Sequence, residues 1–396
     1  MPERRRTIKH RHVRKASGGK PEYKLVYLSA LLLGFGLLMV YSASAVLAFY
    51  EDRSPLHYFF LQAVWIAAGA VIAYIAYRLP LNLISKTSVY AMFITIVLLV
   101  LVLFVGKTLN GARRWISLGS FDLQPSEIAK LAFVIYLSAW LSKARTKTRD
   151  IQEVLRQHVV EDLLPFLVLL GIVCILIVLQ PDLDTAFIIA ATSLVVYFVS
   201  GKDALHTLGS IFIVVTTAIV GAVAAFSASY RLERIRTYID FLLTGDVQDK
   251  RDAGFQIWNG LIAIGSGGVF GQGFTESKQK FYYLQNAAFT DSIYSIIAEE
   301  FGLVGSLLLI IAFLYFMSLG VSIARRAPDK FSALLAMGIT TWIVLQAFLN
   351  IGANLAIIPF GGIPLPFISY GGSNTLMVML GVGLLLNISR QCKVES

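Results

Sequence analysis

Asp291 is the residue best placed to do chemistry. It stands in Thr290-Asp291-Ser292-Ile293-Tyr294, at the mouth of a long apolar run and just after a cation-bearing polar segment. A carboxylate at a helix N-terminus is stabilised by the dipole, so capping accounts for it. It could equally serve as a general base toward a hydroxyl approaching from the same side. Residue types alone leave the two readings even. Cations able to hold an anionic ligand occur in two nearby stretches. One carries Lys107, Arg113 and Arg114; the other carries Arg231, Arg234, Arg236, Lys250, Arg251, Lys278 and Lys280. Arg offers bidentate contacts to phosphate. Arg113 and Arg114 have few acidic neighbours and precede Trp115, so a ligand is expected there. Arg231 and Lys250, among Glu233, Asp240, Asp246, Asp249 and Asp252, are expected to pair locally.

Other polar groups have structural accounts. Glu127 and Lys130 lie one helical turn apart, which predicts an internal ion pair. Gln180-Pro181-Asp182 with Asp184 reads as a hinge; either carboxylate can cap the next helix or orient a cation. Glu299 and Glu300 sit about 12 Å further along the helix from Asp291, at a rise of 1.5 Å per residue, and are expected to pair with another span. Apolar 255–264 reads as a helix lying in the membrane interface, and Gly265, Gly267, Gly268, Gly271 and Gly273 then break it. As a phosphate cradle that spacing is a weak signal. Between Asn350 and Ser373, Pro359, Pro364 and Pro366 forbid a regular helix in a segment too apolar for a loop. Such backbone is tolerated only against protein or a wet cavity, so this is a cavity wall or re-entrant cap. Cys174 and Cys392 suggest neither disulfide nor metal site. No cofactor is required and no all-protein metal cage is apparent, which leaves a divalent cation open.

These groups sit on an apolar frame. The chain is 57% hydrophobic and 15% charged, against about 25% charged in soluble domains. Apolar runs at 26–49, 58–77, 89–105, 163–179, 187–199, 208–226, 293–321, 331–349 and 376–386, with a short one at 128–141, predict ten membrane helices. The expected fold is therefore an all-α polytopic membrane domain over 25–390, with a basic tail at 1–24 and a short C-terminus at 391–396. A large outer segment at 229–290 joins helices seven and eight, and the Gly/Pro-rich outer segment joins nine and ten. Cations in the tail and in every even-numbered connection place both termini in the cytoplasm. The tail is an orientation signal and lipid-surface contact rather than a nucleic-acid arm.

With these motifs in hand, the chain resembles the SEDS family (shape, elongation, division and sporulation) from about Leu28 to Ile388. The resemblance rests on Gly111-Ala-Arg-Arg-Trp-Ile, Gln124-Pro-Ser-Glu-Ile-Ala-Lys130, Gln180-Pro-Asp182 and Gly254-Phe-Gln256. Ile262-Ala-Ile-Gly-Ser-Gly-Gly268, Ser277-Lys-Gln-Lys280, Thr290-Asp291 with Ala298-Glu-Glu300, and Pro364-Leu-Pro-Phe-Ile-Ser-Tyr-Gly-Gly-Ser373 continue it in order. It implies a ten-helix peptidoglycan glycosyltransferase in the cytoplasmic membrane that polymerises lipid II at the outer face. Asp291 matches the family's catalytic aspartate, and Arg113, Arg114, Gln256, Ser277, Lys280 and Ser369 fall in motifs expected to meet substrate. Implied partners are a class B penicillin-binding protein and other divisome membrane proteins. Val40-Tyr41-Ser42-Ala43-Ser44 and the basic tail look more like the division branch than the elongation branch. The chain departs from the family in two places. Leu284-Gln-Asn-Ala-Ala-Phe-Thr-Asp291 replaces Leu-Pro-Glu-Ala-His-Thr-Asp, and Asp184 stands where glycine is common. A lipid II transporter and a non-catalytic divisome scaffold are the alternatives.

Overall fold

A computed structural model describes residues 19–109, 112–117, 119, 121–143, 156, 160–161, 163–201, 208–214, 229–244, 254–359 and 361–392. Helices α1 (Tyr23–Tyr50), α2 (His57–Arg78) and α3 (Leu81–Val105) come first. After α4 (Pro125–Leu141) follow α5 (Leu164–Val178), α6 (Leu183–Ser200), α7 (Ser229–Thr244) and α8 (Phe255–Ser266). Two single turns, α9 (Gln279–Tyr282) and α10 (Gln285–Ala288), lead into α11 (Ile293–Arg326), α12 (Lys330–Asn354) and α13 (Gly372–Gln391).

Among the described residues, seven helices are long and apolar enough to cross a membrane: α1, α2, α3, α6, α11, α12 and α13. The chain is thus a mostly helical, multi-pass membrane protein. α5 is apolar but has only 15 residues, and α4 has 17 with an ionised pair inside. Residues 208–214 are helical where a seventh span is expected, and 215–228 lie outside the described residues. The expected pairings of Arg231 and Lys250 fall outside what is described as well.

Helices α2 and α3 turn Phe60, Val64, Val71, Phe93 and Phe104 outward, as a lipid-facing surface requires. The interior is held by close approach of small residues, which lets van der Waals packing replace the hydrophobic effect between membrane helices. At Gly383, for example, an added Cβ would overlap the backbone of Ala73, so α13 and α2 meet backbone to backbone. At the C-terminal end of α13 the residues just before α1 come into contact with it. The Gly19 amide donates to the Arg390 carbonyl at 3.1 Å, the Glu22 amide to Ser389 Oγ at 3.1 Å, and Arg326 pairs with Glu22 at 3.1 Å.

Two features correct a purely helical expectation. After Gly106 ends α3, three short antiparallel strands form a sheet: β1 (Lys107–Leu109), β2 (Ala112–Ser117) and β3 (Asp122–Leu123), in that order. Trp115 lies opposite Lys107, and Ile116 opposite Leu123. The second is a break in α11 at Gly302, with φ 64° and ψ −161°. A broken helix frees backbone groups that an apolar surrounding cannot satisfy. The glycine-rich segment after α8 supplies them. Gln272 and Gly273 amides donate to the carbonyls of Glu299 and Glu300 at 2.9 and 3.1 Å; the Leu303 and Val304 amides donate to Gly268 and Val269 carbonyls at 2.9 and 3.1 Å. The segment is a two-sided splint for the break. Only glycine fits at its centre, because a Cβ on Gly302 would overlap the Gly271 nitrogen and the φ is left-handed. Gly302→Ala should therefore cost on the order of 1–3 kcal/mol from the dihedrals alone, with the overlap in addition, read as a lower unfolding temperature in detergent.

Candidate active site

The site is built on one face of α12. Gln346, Asn350 and Asn354 repeat every four residues, so their carboxamides stack along one side of the helix. Gln346 is fully buried, and its amide is fully used. Its Oε1 accepts from Lys130 Nζ at 2.7 Å and Trp342 Nε1 at 3.0 Å; its Nε2 donates to the Pro364 carbonyl at 2.9 Å and Asn374 Oδ1 at 3.0 Å. One turn on, Asn350 Nδ2 donates to the carbonyls of Asp291 (2.8 Å) and Ile363 (2.7 Å). Asn354 Nδ2 donates to the same Asp291 carbonyl at 2.9 Å.

Asp291 lies between α10 and α11, half-buried, with its Oδ1 accepting from Thr290 Oγ1 at 2.8 Å. The N-cap position of α11 is Ser292, one residue past Asp291, and its side chain makes no capping bond. The residues before the helix are held from outside. Phe289 carbonyl accepts from the Tyr370 amide at 2.9 Å, and Thr290 carbonyl from Ser369 Oγ at 2.5 Å. Opposite stands the Gly361-Gly362 pair. A Cβ on Gly362 would lie 3.6 Å from Asp291 Oδ2, and one on Gly361 would lie 2.6 Å from both carboxylate oxygens of Asp184. A wall without side chains thus runs between the two carboxylates. Aromatic rings back the same segment: Tyr58 lies 4.9 Å from Phe289 and 5.4 Å from Tyr370, centroid to centroid. Burial pushes the Tyr370 phenol above its ordinary pKa, so it stays protonated at neutral pH.

The remaining sequence candidates divide. Glu127 and Lys130 pair at 2.8 Å, each only 2% exposed, and the Lys130 ammonium also lies over Trp342 at 5.5 Å. Asp182 caps α6 through the Thr185 amide at 3.3 Å and accepts from Ser126 Oγ at 3.2 Å. Three residues expected at a ligand are engaged by the protein itself. Arg114 donates from Nε to the Gln180 carbonyl at 3.0 Å and from a terminal nitrogen to the Pro181 carbonyl, at the C-terminus of α5, where carbonyls collect negative potential. Lys280, 3% exposed, donates to Glu300 Oε1 at 2.8 Å, Ser42 Oγ at 3.0 Å and the Thr275 carbonyl at 2.7 Å. Ser277 Oγ donates to Glu299 Oε2 at 2.5 Å, and the Lys278 and Gln279 amides reach the same carboxylate. Glu299 and Glu300 therefore pair with the segment between α8 and α9 and with α9 itself, and Glu300 also with α1, not simply with another span. Ser369 is buried in the Asp291 support. Arg113 is exposed on β2, bonded to Thr108 Oγ1 at 3.2 Å and the Leu103 carbonyl at 3.4 Å, and Gln256 is half-buried on α8. Among the described residues no three His, Cys, Asp or Glu converge as a metal site would require.

Sequence reading missed Gln346 and Gln62, and it did not separate Asn350 and Asn354 from their segment. The signal was there in α12: three carboxamides at four-residue spacing in an otherwise apolar helix. Gln62 holds Ser369 and Thr375 from α2 at 3.4 and 3.2 Å, with no periodic partner to mark it. The buried pair yields a sharp expectation. Lys130→Met strands the Glu127 carboxylate and should cost about 3–5 kcal/mol, whereas Glu127→Gln with Lys130→Met should recover much of that, by thermal unfolding in detergent.

The Cell cycle protein family model of FtsW, RodA and SpoVE matches residues 23–394. Stage V sporulation protein E of Bacillus subtilis (strain 168) is 37% identical over 93% of this chain and 97% of its own length. A probable peptidoglycan glycosyltransferase FtsW of Coxiella burnetii is 35% identical over 92% and 95%. Among solved structures, a chain from a peptidoglycan synthase complex that coordinates polymerization and crosslinking superposes with TM-score 0.72 at 25% identity, over 93% of this chain and 98% of that one. Thermus thermophilus RodA, at 24% identity and TM-score 0.64 over 95% and 98%, shares the fold. Matched from its first helix to its last, the chain belongs to the SEDS family of FtsW, RodA and SpoVE.

Proposed function

We propose that this protein is a peptidoglycan glycosyltransferase that polymerises lipid II at the outer face of the cytoplasmic membrane during cell division. The observation that carries it is Asp291, a carboxylate outside any helix, whose backbone is held on three successive carbonyls and whose Oδ2 faces a wall of two glycines. That arrangement suits a carboxylate held in place as a base, beside backbone that carries no side chain. Asp291 takes the proton from the acceptor sugar's 4-hydroxyl, and that oxygen attacks the donor's anomeric carbon from the face opposite the leaving group. The bond from that carbon to the pyrophosphate oxygen breaks, its electrons stay on the pyrophosphate, and the anomeric configuration inverts. Arg113, exposed on the central strand β2, is the cation we assign to the pyrophosphate. Arg114 and Lys280 act by holding α5 and the glycine-rich splint in place. The scheme draws on no cofactor.

The names of the relatives support the reaction class, and the synthase complex supports a class B penicillin-binding protein as partner. Ten spans, both termini in the cytoplasm and contacts with other division proteins complete the proposal. No observation favours a transporter or a non-catalytic scaffold specifically. Purified lipid II should be polymerised by the protein with its cognate transpeptidase, and Asp291→Asn should lose roughly 10²–10⁴-fold in rate, the usual worth of a positioned base. Equal strand formation by both proteins would return Asp291 to a structural role; inactivity of both in a folded complex would favour the scaffold.

A further inference from the structure

The C-terminal ends of α2 and α13 each carry a guanidinium that faces an aromatic ring instead of an acceptor. Arg78 lies over the Tyr74 ring at 5.6 Å and Arg390 over the Tyr77 ring at 4.8 Å, each measured to the centroid. Among the described residues neither side chain has a hydrogen-bond or ion-pair partner, although Arg390 is half-buried. A guanidinium has five N–H donors, and buried donors ordinarily find acceptors. The neighbouring helix end shows the usual outcome: Arg326, in the last turn of α11, pairs with Glu22 at 3.1 Å. A cation in a last turn complements the helix dipole, which accounts for all three positions. It does not account for two of them lacking an acceptor.

The two rings adjoin, since Tyr74 and Tyr77 are three residues apart on α2. Asn387 clamps α13 to this end of α2, its Nδ2 donating to the Ala76 and Leu79 carbonyls at 2.8 and 2.6 Å. Arg390 follows Asn387 by less than one turn, so it is held against α2. Val64, Val71 and Arg78 recur every seven residues and are all exposed, which puts the Arg78 guanidinium at the end of a lipid-facing stripe. Tyrosines at such an end mark the interface, the depth at which headgroup phosphates lie. Helix α2 starts beside Phe289, 4.9 Å from Tyr58, and its 22 residues rise about 33 Å. The cluster therefore sits on the membrane face opposite Asp291. We propose that Arg78 and Arg390 form a headgroup site for an anionic phospholipid on that face. The lipid phosphate takes the unspent N–H donors of both forks, and the acyl chains lie along the Val64–Val71 stripe. Two cations without an acidic partner favour a headgroup of net negative charge over a zwitterionic one.

Native mass spectrometry of the full chain in detergent tests the site, with phosphatidylglycerol and phosphatidylcholine of identical acyl chains as probes. The wild type should bind phosphatidylglycerol roughly 10-fold or more tightly, since each cation at a membrane surface is worth about a 5-fold gain toward an anionic lipid. Arg78→Gln and Arg390→Gln should each remove about 5-fold of that preference. Arg325→Gln, which deletes an exposed last-turn cation of α11 beside the Arg326–Glu22 pair, should leave it unchanged. Diffuse surface charge would instead make all three variants lose alike. That result, or a wild type that does not distinguish the two lipids, overturns the inference. Should either Gln variant not fold, Arg78→Lys and Arg390→Lys keep the charge and give up the bidentate fork. Reduced preference in these supports the site, and two Lys variants as selective as the wild type overturn it.

Discussion

Backbone N–H and C=O groups cannot be left unpaired in an apolar surrounding, and in this protein the places where helices stop are the places that matter. Three interruptions carry the architecture: the break in α11 at Gly302, the linker at 289–292, and the proline-bearing segment at 361–371. Each is closed by donors and acceptors from elsewhere in the chain. The glycine-rich segment serves the first through its own backbone. Side chains of α12 and Ser369, with the Tyr370 amide, serve the second. Gln346 and Asn350 serve the third through the carbonyls of Pro364 and Ile363. Asn350 therefore stabilises two neighbouring irregular segments at once, with Asn354 and Gln346 each serving one of them, and Asp291 lies where these meet.

Much of this was legible from residue types. The apolar runs mark most of the helices, and the three-residue spacing of Glu127 and Lys130 foretells their pair. The prolines of the late segment imply irregular backbone against protein. What was hidden depends on contacts distant in sequence. Lys280 looks like a ligand cation until Glu300 and Ser42, on two other helices, are seen beside it. Arg114 looks like a phosphate fork until it meets the carbonyls ending α5. The three-stranded sheet was hidden for a different reason: its strands hold two to six residues, too few for a period-two pattern to emerge.

The departure from the family pattern before Asp291 has a physical counterpart. Where the family carries histidine before the Thr-Asp pair, this chain has Phe289, which cannot hydrogen-bond the carboxylate. Its ring packs instead against Tyr58 and Tyr370, 4.9 and 5.5 Å away, and its carbonyl is fixed by the Tyr370 amide. The residue before the Thr-Asp pair thus contributes aromatic packing and main-chain anchoring in this chain.

The junction between the residues just before α1 and the last turn of α13 constrains where these helices end. Gly19 and Glu22, just before α1, are hydrogen-bonded to Arg390 and Ser389 in the last turn of α13, and Glu22 is further tied to Arg326 at the end of α11. Two points joined at about 3 Å cannot lie on opposite sides of a bilayer some 30 Å thick. The entrance to α1 and the ends of α11 and α13 therefore share one face of the bilayer and are tied there into a single junction.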